Sequence, residues 1–382
     1  EAQISLGKTD DAIKTLKNSI QNVEKGDKNS IANLQVSLGN IYLQANRHEE
    51  AILSYEQALN SFEIGNILLT TEIQREFATR VFEKMILTYK NAGKTNEAKA
   101  IIERARTLLG KADLFADKQL ISLLRESGKK DEALLAVRSL RKSFADDYPL
   151  LRTEATILTE LGRVEEGVSL IKGLMIQKPI IPSAYYDDFS NYLFISSLYT
   201  QAKKSKEAIE TAQKAFAVAQ SEERKQLANL SLATAQYLSG NHQLAETTLR
   251  AILKQTPGNP IALNNLGYFL LERNERINEA VELIRQALKI DPTNSSYLDS
   301  LGWGYYKLGK FQEAERYLKE AVRYNPSSPT IFEHLGDLYL KQGKDELAKS
   351  AWQKAFTFSS FKLLENVILS RSPLRFRLKA IA

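Results

Sequence analysis

The chain has 382 residues, 43% hydrophobic and 26% charged, the composition of an ordinary folded protein but too long for one compact core. Lys and Arg number 52 against 46 Asp and Glu, a net charge of +6. Spread this thinly, the excess argues against a nucleic-acid partner, because such binders concentrate their charge. Cysteine is absent, which excludes disulfides, thiolate catalysis and cysteine metal sites, and no apolar run approaches the roughly 18 residues that a membrane helix needs.

From Glu1 the sequence enters part-way through a helix pair, as a piece of a longer chain would, so a signal peptide or lipid anchor upstream would lie outside it. Short apolar-periodic segments then alternate with a recurring turn: "LGKTDDA", "ANRHEEA", "AGKTNEA", "SGKKDEA", "LGRVEEG", "SGNHQLA" and "LGKFQEA". Glycine or asparagine takes the left-handed position that ends one helix. Acids then fall in the first turn of the next, where its dipole favours them. The small residue closing each turn marks a second helix, at Ala12, Ala51, Ala98, Ala133, Gly167, Ala208, Ala245, Ala280, Ala314 and Ala348. These marks predict nine complete helix pairs preceded by a half.

The marks stand 39, 47, 35, 34, 41, 37, 35, 34 and 34 residues apart. The longest interval covers Phe62 to Arg80 and predicts lengthened helices there. The interval of 41 covers "IQKPIIPSAYYDD", where Pro179 and Pro182 suggest a loop or bend, so 177–187 is the expected subdomain boundary. Degenerate repeats are read over 1–176 and 188–259, and three clear ones over 260–362.

In the first clear unit, Ile261, Leu263, Leu266, Phe269 and Leu270 keep a helical period, as do Ile277, Ala280, Leu283, Ile284, Ala287 and Leu288, before "DPTN" closes the unit. Gly267, Gly302 and Gly336 stand 35 and 34 residues apart, each after a leucine. Glycine inside a helix costs about 1 kcal/mol relative to alanine, so three in register imply close packing where two helices cross. A period of this size signals a stacked helical array that works by displaying surface. Residues 363–382 follow as the end of a capping helix (Phe361–Ser370) and a basic tail, "RSPLRFRLKAIA". That tail is either a frayed end or a segment that adds to a partner's sheet edge or touches an anionic surface.

The pattern of leucine-glycine, a large residue three positions on, two spaced alanines and a closing proline resembles the tetratricopeptide repeat. "ALNNLGYFLLERNERINEA" and "LDSLGWGYYKLGKFQEA" are similar in particular to bacterial cell-envelope proteins of that family, many of them lipoproteins. The resemblance implies an all-α, right-handed superhelical solenoid whose inner face, lined by first helices, grips a protein or peptide segment. It implies a non-catalytic scaffold or adaptor with no cofactor and no small-molecule substrate. The alternative is a regulatory or targeting region of a larger enzyme or of an envelope or secretion assembly. The periplasm or outer membrane is favoured over the cytoplasm, with membrane contact only through an upstream anchor or the basic tail.

By register with the family, the inner face carries Asn264, Asp299 and Glu333, then Tyr268, Trp303 and Asp337, then Leu271, Tyr306 and Leu340, then Glu272, Lys307 and Lys341. Asn264, Tyr268, Asp299, Trp303, Tyr306, Lys307, Glu333, Asp337 and Lys341 are the candidate partner contacts. Leu298 fills the family's usual tryptophan place in that repeat, so Trp303 either packs against the neighbouring first helices or is a binding aromatic, whose truncation would weaken binding with little loss of helicity. The family's carboxylate clamp falls on Asn264, Tyr268, Ser300, Thr330 and His334; its basic residues are missing, which argues against capture of chaperone C-termini. In the first half the corresponding face is polar: Asn40, Lys118, Arg125, Arg152 and Thr156.

Catalytic motifs are weak. The "GWG" at 302–304 has Lys307 in the place of a third nucleotide-loop glycine and sits inside a helix. His48, His242 and His334 lie far apart in sequence, without metal-binding spacing. The pairs Glu49–Glu50 and Glu165–Glu166 read as helix first-turn charges.

Overall fold

The computed structural model describes residues 9–24, 26–177 and 187–358. These are helices and short connections, with no strand among the described residues and no helix long and apolar enough to cross a membrane. Most of the expected bend at 177–187 falls outside the described residues, as do the capping helix and the basic tail.

The chain divides into two compact units at Ser127 and Gly128. The first holds α1 (Thr9–Asn22), α2 (Lys28–Gln44), α3 (His48–Ser61), α4 (Glu72–Asn91), α5 (Thr95–Leu109) and α6 (Phe115–Glu126). The second holds α7 (Lys130–Ser143), α8 (Tyr148–Glu160), α9 (Val164–Gln177), α10 (Asp188–Gln201), α11 (Ser205–Val218), α12 (Glu222–Leu238) and α13 (His242–Gln255). It continues with α14 (Pro260–Glu272), α15 (Ile277–Ile290), α16 (Ser295–Lys307), α17 (Phe311–Tyr324), α18 (Pro329–Lys341) and α19 (Asp345–Phe358). The nineteen described helices are, in chain order, one leading helix and nine successive pairs. All ten marker residues lie in second helices.

The two kinds of helix start differently, and the sequence explains why. First helices begin at a side-chain cap: Asp27, Thr71, Asp147, Asp187, Ser221, Asn259, Asn294 and Ser328 each accept from a backbone N–H in the first turn. Before α6 that position is Leu114, and Asp113, one residue earlier, accepts from the Phe115 N–H at 2.9 Å. Second helices are entered instead from a tight turn, with a basic residue before the helix (Arg47, Lys94, Lys129, Lys204, Lys310) and acids in most first turns. The turn itself needs a positive φ, supplied by Asn46, Gly93, Gly162, Gly240, Asn274, Gly309 and Gly343. Lys203 takes the same conformation, a position where the sequence offered neither glycine nor asparagine.

The helix crossings are where the small residues fall. A Cβ on Gly267 would lie 2.8 Å from the Ala280 carbonyl oxygen, and one on Gly302 would lie 2.7 Å from Leu318 Cγ. On Gly336 it would strike the Trp352 indole. In α8 and α9 the roles are exchanged: a Cβ on Gly167, in the second helix, would be 2.6 Å from the Ala155 carbonyl of the first. The 47-residue interval is absorbed in two ways. Helix α4 runs 20 residues, and residues 62–71 form a connection in place of the expected helix. Leu69 N–H anchors that connection to the Leu108 carbonyl at 2.8 Å, and Arg75 donates to the Leu109 carbonyl and to Asp113.

Within the second unit, first helices pack on the first helices of neighbouring pairs: α8 on α10, α10 on α12, α12 on α14, α14 on α16 and α16 on α18. Successive second helices do not pack on one another in this way among the described residues. The first helices therefore line the more crowded side of that stack.

Candidate partner-binding face

Helix α16 carries the centre of the expected face. Its "GWG" is a packing device: Gly302 admits Leu318 of its own second helix, while Gly304 admits Val281 and Leu271 of the preceding pair, 2.7 and 3.3 Å from where a Cβ would stand. Closed on both neighbours, α16 brings Trp303 between α14 and α18. The indole Nε1 donates to Glu272 Oε1 at 2.8 Å, tying α16 to the end of α14. Tyr306 stacks on the ring at 4.6 Å and 6° between planes, and His334 of α18 stacks at 4.2 Å and 13°. Lys307 Nζ stands 4.8 Å from the ring centroid, within cation–π range.

Trp303 is 8% exposed. It is thus a packed ring shared by three first helices, and the accessible parts of the cluster are its neighbours: Tyr306 and Lys307 are half-buried and Glu272 is exposed. Truncating Trp303 removes stacking, a hydrogen bond and buried area together, so the expectation of little structural loss does not fit this packing.

Below it lies a buried ion pair. His334 Nδ1 and Asp299 Oδ1 are 2.8 Å apart, with both residues buried. Burial works against charge on the imidazole, but Asp299, then Glu272 and Asp337, outweigh it and hold the His334 pKa above the ordinary histidine value. Burial raises the Tyr268 hydroxyl, and Glu272, Asp299 and Glu333 raise it further. The field at the face is thus acidic.

The remaining expected residues divide. Asn264 is 7% exposed, and its Oδ1 is buried with no hydrogen-bond partner. Asp337 accepts from the Trp352 indole at 3.2 Å, drawing it toward the α18–α19 crossing. Glu333 is half-buried, one period beyond Asp299, and Lys341 is exposed at the end of α18. Trp303, Tyr306 and Lys307 therefore cluster, Asp299 joins them through His334, and Lys341 stands outside. His334 and Glu272 were legible only as spacing: His334 lies 35 residues after Asp299 and Trp303 lies 31 after Glu272, close to one period, which places each pair on adjacent first helices.

Earlier first helices use their polar residues differently. Asn40 accepts from the Tyr55 hydroxyl at 2.8 Å. Arg152 donates to Asn191 at 3.0 Å and lies over Phe194, and Thr156 donates to the Arg152 carbonyl. Among the described residues no three His, Asp or Glu side chains gather where they could hold a metal ion.

Family models described as tetratricopeptide repeat match residues 2–64, 192–260, 230–295 and 300–358. A TPR repeat-containing protein of Pseudomonas aeruginosa is 29% identical over 170 residues, which make up 44% of this chain and 27% of that protein. A kinesin light chain-related protein of Arabidopsis thaliana is 27% identical over 138 residues, 34% of this chain and 22% of that one. The chain thus spans about a quarter of the length of the curated relatives it matches. Among solved structures, a thermophilic TPR protein of Thermus thermophilus covers 50% of this chain and 98% of its own, with a TM-score of 0.43 at 21% identity. A tetratricopeptide repeat protein from Parabacteroides merdae covers 80% and 98%, with a TM-score of 0.39 at 16% identity.

Proposed function

Because the chain belongs to the tetratricopeptide repeat family, whose repeats generally mediate protein–protein interactions, we propose that it is a non-catalytic scaffold or adaptor. It would hold a protein or peptide segment along the first helices α14, α16 and α18. The observation that carries this reading is the aromatic cluster of Trp303 and Tyr306, stacked and tied across three successive first helices by Glu272 and His334. Rings fixed before binding lose little entropy on binding, and aromatic residues in such settings dominate interface energies. Tyr306, Lys307, Tyr268 and Glu333 would make the contacts, and Trp303 would hold their platform.

Affinity capture from the source cell, read by mass spectrometry, tests this. Tyr306→Ala and Lys307→Glu should each lose the partners retained by the wild type, at unchanged helicity. Glu282→Lys, on the exposed surface of second helix α15, should retain them. Equal capture by all three variants would remove the first-helix face from consideration.

A second reading rests on length. The relatives extend well beyond the matched stretch, so the chain would be the regulatory or targeting region of a larger enzyme or of an envelope or secretion assembly. Sequencing the full reading frame decides it, because an appended catalytic or membrane domain would be visible at once. The likeness to envelope proteins favours the bacterial periplasm or outer membrane as the setting, which cell fractionation checks.

A further inference from the structure

Along α13, α15 and α17 the cations at the two ends of the helices are treated differently. Toward the starts they are in ion pairs: Arg250 and Arg276 hold Glu246, and Lys319 and Lys344 hold Glu315. At the ends, Lys254, Lys289 and Arg323 stand 35 and 34 residues apart in the last turns. None of these three makes an ion pair among the described residues. A base in a last turn complements the negative end of its own helix, and by itself means little.

The first helices that start from the same loops make the difference. Helices α14, α16 and α18 carry no acid in their first turns. Earlier in the unit Asp188 opens α10, Glu222 and Glu223 open α12, and α11 ends without a base. The antiparallel dipoles of a pair offset each other at such an edge, so side chains set its sign. Counting Lys354, one turn before the end of α19, four cations stand there against Asp291 and Glu320.

The second observation is apolar. Ile290 and Tyr324, which directly follow Lys289 and Arg323, end α15 and α17 and are 53% and 51% exposed. Ile261, second in α14, is 42% exposed. Ile290 Cδ1 stands 4.0 Å from where a Cβ on Gly258 would be, so the end of α15 meets the loop before α14 and the row is continuous there. Single exposed apolar residues are ordinary. Here they are interleaved with unpaired cations along one edge, as on surfaces that lie against lipid head groups.

We propose that this edge, formed by the loops between successive pairs from α13 to α18, rests on an anionic lipid surface. Lys254, Lys289 and Arg323 meet head-group phosphates, while Ile261, Ile290 and Tyr324 enter the interfacial layer. An acidic protein or a nucleic acid would satisfy the cations but leave the two isoleucines in water, whereas the interface rewards their removal from it. A tyrosine, apolar in its ring and polar at its tip, suits the same layer. One cation per pair makes a line and not a pocket, which fits a surface of many phosphates. The contact is separate from the first-helix face and leaves it open to a partner. Helix α19 also ends at this edge, and the sequence beyond it carries Arg371, Arg375, Arg377 and Lys379.

The full chain is tested by flotation with vesicles of phosphatidylcholine alone or with about a third phosphatidylglycerol. It should float with the anionic vesicles, stay behind with the neutral ones, and be released progressively as salt rises. Lys289→Glu/Arg323→Glu should weaken binding by roughly tenfold or more. Lys206→Glu/Lys310→Glu, with the same change in net charge at the starts of second helices, should bind as the wild type does. Ile290→Ser/Tyr324→Ser, at unchanged charge, should also weaken binding. All these residues except Lys310, Lys206 and the two cations are only partly exposed, so far-UV circular dichroism of each variant separates lost binding from lost fold.

Failure to bind anionic vesicles, equal binding of neutral ones, or equal loss in the two charge-reversed pairs would overturn the proposal. So would wild-type binding by Ile290→Ser/Tyr324→Ser, which would point to an acidic macromolecule at this edge instead. Arg375→Glu/Arg377→Glu tests the tail alone. If it abolishes binding while Lys289→Glu/Arg323→Glu does not, the tail makes the contact and the edge does not.

Discussion

The pair α2–α3 and the pair α16–α17 close their crossings alike and satisfy their polar residues differently. Gly39 lies under the Tyr55 ring as Gly302 lies under Leu318, with clearances of 2.5 and 2.7 Å to an added Cβ. In α2–α3 the second helix also reaches through to the first, the Tyr55 hydroxyl donating to Asn40, while Arg80 of α4 donates to Asn33 of α2. In α16 the polar residues bond outward, Trp303 to Glu272 of α14 and Asp299 to His334 of α18. The first arrangement adds a tie within the pair; the second couples successive first helices. In a stacked array, stability is a sum of repeat and interface terms, and the two pairs load those terms differently.

The largest expected effect tests what they share. Gly302→Leu forces a side chain onto Leu318 Cγ and onto the Leu318 backbone nitrogen, 3.2 Å from the added Cβ. The ring at Gly39 belongs to the fully buried Tyr55, three of whose ring atoms would stand within 2.9 Å of the added Cβ. Overpacking of this kind costs about 1–3 kcal/mol, and both Gly302→Leu and Gly39→Leu should reach the upper end. A near-wild-type melting curve for Gly302→Leu would show that the crossing is not close-packed.

The next effect separates them. The His334 pKa is raised in the folded state, so the His334–Asp299 pair contributes its full stabilisation at pH below the ordinary histidine value, about 6.5. That contribution is lost as pH rises through the higher folded value. Thermal melts of the wild type should therefore fall as the pH rises above the ordinary histidine value. His334→Gln should flatten that dependence. Since His334 also stacks on Trp303, near-ultraviolet circular dichroism of the tryptophan should follow the same titration. If the variant keeps the wild-type pH profile, the pair is not what couples α16 to α18.

How far the sequence reached follows the same division. The crossing glycines and alanines and left-handed turns such as that at Gly309 are local, and the period exposes them at once. Trp303 was legible as a first-helix residue, but its burial depended on groups 31 residues before it and 31 after it, Glu272 and His334. Register gives a side chain's direction, whereas its exposure is set by what the neighbouring repeats send to meet it. The cut between Ser127 and Gly128 was not foreseen, because the turn "SGKKDEA" there has the same form as the turns inside each unit. The residues before it differ: Leu114 stands at the capping position, and Asp113, one residue earlier, accepts the Phe115 N–H in its place.

The smallest effect isolates the tie between α2 and α3. Tyr55→Phe keeps the ring that fills the space beside Gly39 and removes only the hydroxyl that Asn40 accepts from. A single neutral hydrogen bond contributes about 1 kcal/mol, and Asn40 is only half-buried, so water can replace part of the lost bond. Hydrogen exchange should report the loss in α2 and α3, while amides of α14, α16 and α18 exchange at wild-type rates. His334→Gln should do the opposite, raising exchange in α16 and α18 together. If Tyr55→Phe leaves exchange in α2 and α3 at wild-type rates, the hydroxyl is not what ties the two helices of that pair.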